Sequence, residues 1–159
     1  MWPAARSPSE MGSAEELKAM AERQELELVE ASAPKAGALI GSARRSLATC
    51  RAIARKDPNS ALLLAWDGVA FPTLTAALAL AGYRVTNRMG HHRVAVEAAR
   101  QLFEADALLS RIGSLRRMRD RGMYEGEPPE IDEVTDALDD CEGLIQLVAK
   151  AVRSAAQQT

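Results

Sequence analysis

Aromatic residues are scarce in this chain, only 4% of its positions. That shortage argues against a sheet sandwich, because strands are built preferentially from β-branched and aromatic side chains. The 47% of hydrophobic residues must therefore pack as an aliphatic core. Alanine and leucine are strong helix formers, so this stock favours helices. Charge of one sign is also lacking. A net charge of −2 gives the whole molecule no long-range attraction for nucleic acid or an anionic membrane.

Cysteine is limited to Cys50 and Cys141, both on apolar helical stripes. The expectation is two buried free thiols in a reducing compartment rather than a disulfide. With only two histidines, adjacent to each other, no His/Cys cluster suggests a metal, and no cofactor is expected. No uninterrupted long hydrophobic run occurs: the most apolar stretch, 61–81, is broken by Trp66-Asp67-Gly68 and Pro72. It reads as the central helix of a bundle rather than a membrane span, and the first residues lack a signal-peptide core. A cytoplasmic protein without a membrane partner is expected.

At 159 residues the chain fits one domain. Residues 1–13, with two prolines, read as a disordered tail, and 14–157 as a single domain. A short helix over 15–24 and an extended segment at 25–30 come first. Ser32-Ala-Pro34 then signals a helix start. That helix, to about Lys56, carries Ala36, Leu39, Ile40, Ala43, Leu47, Cys50 and Ile53 on one stripe. The Asp57–Ser60 turn leads to the 61–80 helix, which Pro72 should kink and Gly82 should end. Residues 84–90 read as a loop, followed by helices over 91–103 and 105–121, with Gly122 as a stop. The last helix, about 131–154, repeats apolar residues from Ile131 to Val152 at three- and four-residue steps. The expected fold is all-α, an up-and-down bundle of four to five main helices.

Charge is polarised along the chain. Nine arginines lie between Arg84 and Arg121, whereas Glu125 to Glu142 holds nine acids and no base. Solvated faces account for most such patterns, but one arginine stands out. The stripe Ala105, Leu108, Ile112, Leu115 continues in register to Arg119. A guanidinium at a core position is costly unless partners satisfy its donors. Asp120 and Tyr124 are near in sequence. Asp67, on the most buried helix, needs a donor of its own. Arg119 is read either as a structural tie at the bundle end or as part of a site, with Arg116 and Asp120 as further binding candidates.

The segment Arg119-Asp-Arg-Gly-Met-Tyr124 resembles the signature of HEPN domains, helical bundles in which an arginine precedes a histidine by a short polar spacer. It is most similar to a branch with tyrosine in place of the histidine. Ser42-Ala-Arg-Arg-Ser-Leu47, Trp66-Asp67, Gly82-Tyr-Arg84 and Gly90-His-His92 extend the resemblance over roughly 15–153. It implies Arg119 and Tyr124 as the positions of the catalytic pair, and an ion pair from Asp67 to Arg119 or Arg116. In catalytic members the pair from two protomers cleaves RNA without metal. That chemistry suits a group titrating near neutrality, which a tyrosine hydroxyl, with a reference pKa of about 10, does not. Loss of the histidine favours a non-catalytic binding module of a bacterial toxin–antitoxin or defence system. Its implied partners are a second copy in a homodimer, a nucleotidyltransferase or toxin, and RNA or a nucleotide; the alternative is a metal-independent ribonuclease. His91 and His92 follow Arg84 at the start of a mid-chain helix, away from the motif. They are read as surface or packing residues unless the bundle folds them back to Arg119.

Overall fold

The computed structural model describes residues 8–158. The fold is an all-α helical bundle with one small two-stranded sheet. Its helices are α1 (Pro8–Glu22), α2 (Ala33–Ile53), α3 (Pro58–Leu64), α4 (Phe71–Ala81), α5 (His91–Leu102), α6 (Asp106–Tyr124) and α7 (Ile131–Gln157). Helix α1 begins at Pro8, within the 1–13 stretch expected to be a tail; residues 1–7 lie outside the described residues.

Local chemistry accounts for the boundaries. Ser32 Oγ accepts the Lys35 N–H at the start of α2. Asp57 caps α3 by accepting the Ser60 N–H, so that helix begins at Pro58, inside the expected turn. Gly82 ends α4 in the left-handed region at φ 85°, where a side chain would be strained. Glu130 and Glu133 form a reciprocal capping box on α7.

Two expected features differ. Arg84 and Val85, the first residues of the expected loop, belong instead to strand β2 (Tyr83–Val85), paired antiparallel with β1 (Leu26–Leu28), the extended segment whose partner periodicity could not name. Gly122 does not stop α6, which runs on to Tyr124. Its role is close approach: a Cβ there would sit 2.7 Å from Asn59 Oδ1 of α3.

Helix α2 is central. It runs antiparallel to α7, with Gly37 near Val152 at one end and Arg51 bonded to Asp139 and Glu142 at the other. It also packs antiparallel to the α3–α4 rod, where Gly68 lies against Ser46 and the Ser32 N–H bonds the Ala79 carbonyl. The aliphatic core joins these elements to α6 and α7 through Leu47, Leu62, Leu74, Ile112, Leu115, Leu138 and Leu144. Cys50 and Cys141 are both free and buried within it; burial pushes the Cys50 thiol up to about 11 and raises that of Cys141 further.

The Pro58–Ala81 rod is long and apolar enough to cross a membrane by length and composition alone, but it is mostly buried inside the bundle. Between α3 and α4, residues Ala65–Ala70 form a π turn in which the Phe71 N–H reaches back to Trp66 O. A proline in a regular helix clashes with the carbonyl four residues back. Pro72 follows the widened turn directly, so the strain expected at the proline is taken up one turn earlier.

Candidate functional site

The π turn sets the site, because the widened backbone carries Trp66 and Asp67 side by side. Trp66 is fully buried, while Asp67 remains about half exposed. Opposite them, the apolar stripe of α6, with Leu109, Ile112 and Leu115 buried, delivers Arg119 to the end of the core at 15% side-chain exposure. Arg119 Nη2 donates to both oxygens of Asp67 at 3.2 and 3.4 Å, and Nη1 donates to Asp120 Oδ1 at 2.8 Å. Arg116 lies 3.9 Å from the other Asp120 oxygen. Burial works against the Arg119 charge, but Asp120 and Asp67 outweigh it and hold the guanidinium above its ordinary value. Its Nε is buried without an acceptor among the described residues.

The two histidines do fold back. Gly90, at φ 84°, turns the chain into α5 so that His91 and His92 open that helix against the rod. The indole N–H of Trp66 donates to His92 Nδ1 at 3.1 Å. The His92 ring also packs on Phe71 at 4.8 Å and on His91 at 4.2 Å between centroids. His91 Nδ1 in turn lies 3.1 Å from the Arg88 carbonyl. Burial lowers the His92 pKa below the ordinary value, and His91, Arg119 and Arg116 lower it further against the opposing pull of Asp67. The fields of the ion-pair cluster and the imidazole therefore overlap.

The Trp66 bond also fixes chemistry. With Nδ1 accepting, the neutral ring carries its proton on Nε2. His92 can donate a hydrogen bond from Nε2 but has no free lone pair with which to act as a base. It would gain one only by giving up the indole, and a buried N–H left without an acceptor costs about 1–3 kcal/mol.

Of the residues singled out from sequence, Arg119, Asp67, Asp120, Arg116 and His92 converge, with His91 stacked behind. The expected acid–arginine pair is the one to Arg119. Tyr124 is elsewhere: it ends α6 at 79% exposure. Five residues advance a helix by roughly 140° beyond a full turn, so Tyr124 and Arg119 point to different faces. Sequence reading passed over Trp66 as a ligand of the histidine and Phe71 as its platform. The available signal was a tryptophan on the most buried helix, whose N–H requires an acceptor. Among the described residues no group of three or more His, Cys, Asp or Glu side chains is placed to hold a metal. On the outer side of α6, Ser114, Arg117, Met118, Asp120 and Arg121 line a shallow open groove.

Comparison of the chain with models of protein families, with curated proteins and with solved structures finds no match.

The His92 environment predicts an acid transition. A histidine whose folded-state pKa lies below 6.5 binds its proton more readily when unfolded. The contribution to stability is complete above pH 6.5 and is lost as the pH falls below it. In a Trp2→Phe background, Trp66 fluorescence should change over that acid range, and His92→Gln, which keeps an acceptor but does not titrate, should flatten the change.

Proposed function

We propose that this chain is a HEPN-type helical module that works in the cytoplasm by binding a partner rather than by cleaving RNA. In this reading it belongs to a bacterial toxin–antitoxin or defence system, assembles as a homodimer and pairs with a nucleotidyltransferase or toxin. One observation carries the non-catalytic part: Arg119 is held by two carboxylates while Tyr124, its motif partner, points to another face. A guanidinium already matched by Asp67 and Asp120 has little charge left for a phosphorane. The half-exposed Met123 and Ile131 and the exposed Tyr124, at the α6–α7 turn, offer apolar surface at the same bundle end. Incubation of the purified protein with RNA in chelator should give no cleavage above a buffer control, and light scattering should report a dimer. Cleavage abolished by Arg119→Ala would overturn the reading.

The alternative, a metal-independent ribonuclease, draws on His92, which folds back onto Trp66 beside Asp67, the carboxylate that holds Arg119. Growth arrest on expression, relieved by both Arg119→Ala and His92→Ala, would select it.

A further inference from the structure

The least explained surface of the molecule is the outer face of α2 with the turn that follows it, whose cations take no part in the Arg119 ion pairs. From Ala33 to Lys56 the chain has six cations, Lys35, Arg44, Arg45, Arg51, Arg55 and Lys56, and no acid. Arg51 is engaged at the boundary with α7, where it bonds Asp139 and Glu142. Arg44, Arg45, Arg55 and Lys56 are all exposed and make no ion pair among the described residues.

Their spacing is ordered. Arg44 and Arg45 lie in the middle of α2, and Arg55 and Lys56 in the turn just past its end at Ile53, which the Asp57 N–H closes on Ile53 O. Eleven residues at helical pitch are close to three turns, so Arg44 aligns with Arg55 and Arg45 with Lys56, in two rows whose ends lie roughly 16 Å apart. Exposed Ala48 and Ala52 lie between the rows, and Arg45 folds back along Gly41. The dipole at the C-terminal end of α2 accounts for cations at Arg51, Arg55 and Lys56, but not for Arg44 and Arg45 in its middle.

We infer that this face of α2 binds the phosphodiester backbone of a nucleic acid. A guanidinium fork matches phosphate geometry, and the alanine floor lets a strand approach the helix closely. The span between row ends covers about five base rises of 3.4 Å. A membrane partner would call for large apolar side chains on the same face, and a protein partner for a buried aromatic or aliphatic anchor. The exposed part of α2 has neither, offering Ser42, Ala48, Thr49 and Ala52 between its cations. Because the molecule as a whole carries −2, the attraction belongs to this face and is screened over about 10 Å at 0.1 M salt. The inference uses none of the Arg119 cluster and stands apart from the HEPN reading.

Fluorescence anisotropy with labelled 20-mers of single-stranded RNA, single-stranded DNA and duplex DNA tests it. Neutralising about four phosphates sets a slope of roughly −3.6 for duplex in log affinity against log salt, and about −2.8 for single strands. Between 50 and 200 mM salt, affinity should drop about 150-fold for duplex or about 50-fold for a single strand. Which nucleic acid binds most tightly identifies the source of the phosphate. Arg44→Glu with Arg45→Glu should weaken binding at least tenfold and reduce the slope by about 2. Arg117→Glu with Arg121→Glu, in the α6 groove, should leave the slope unchanged. Circular dichroism of both double variants confirms that these exposed sites tolerate the change. The inference is overturned if no salt-dependent binding is found, if the α2 variant keeps the wild-type slope, or if poly-glutamate binds as tightly as nucleic acid.

Discussion

Trp66→Ala is expected to be the most damaging single substitution near the site, lowering stability by about 3–5 kcal/mol. The side chain is completely buried, the largest to be so among the described residues, and lies on the π turn between α3 and α4. Its removal leaves a cavity bordered by Phe71 and His92, which pack on it at 6.1 and 5.4 Å between ring centroids. In a chain of this length, a loss of 1 kcal/mol shifts Tm by roughly 2–4 °C, so the denaturation temperature should fall by about 6–20 °C. Trp66→Phe separates packing from hydrogen bonding. It fills most of the volume, so its cost should be about 1–2 kcal/mol. It also releases His92 Nδ1, so the acid transition of that histidine should move to higher pH in an NMR titration. A transition at an unchanged pH would mean that the indole bond does not restrain the imidazole.

The second large effect is an asymmetry across the ion pair. Asp67→Ala should cost about 2 kcal/mol, whereas Arg119→Met should cost less than about 1 kcal/mol. Arg119 is the buried partner, and losing Asp67 leaves its Nη2 without an acceptor beside an Nε that already has none. Removing the arginine instead leaves two carboxylates at 46% and 34% exposure, which water can rehydrate. The methionine stem meanwhile continues the apolar stripe of α6. Urea denaturation of both variants and of the double variant, as a cycle, measures the difference. Equal costs for the two single variants would show that Arg119 is not limited by burial. If Asp67→Ala also abolishes assembly with a partner while Arg119→Met does not, the carboxylate itself faces that partner.

Much of this arrangement is legible in the sequence because periodicity is a local property. The stripe from Ala36 to Cys50 and that from Val134 to Val148 name the buried faces of α2 and α7 without reference to any neighbour. Caps at Ser32 and Asp57 are equally local. The register of Arg119 with Ile112 and Leu115 marks it as a group in need of partners, and Asp67 as a carboxylate in need of a donor. Where reading failed, the deciding contact was distant or the backbone irregular. Gly122 looks like a helix stop until Asn59, brought in by α3, is seen to occupy the space where a side chain would be. Arg84 and Val85 look like loop because a three-residue strand cannot announce itself when its partner lies more than fifty positions earlier. The π turn was invisible as well: Pro72 signals strain, but where the helix absorbs it depends on packing around Gly68, wedged against Leu64 and Ser46.

The sequence by itself determined that this is an all-helical aliphatic bundle and that Arg119 and Asp67 are polar groups at core positions, since helical period and the cost of burying charge need nothing else. Only the tertiary structure decided their company. Helix α5 enters through the left-handed Gly90, so His92 meets Trp66 twenty-six residues away, within the field of Arg119, while the turn of α6 carries Tyr124 to another face. A site assembled from three separate elements depends on how rods cross and where one of them widens, and those are set by the packing of the whole core.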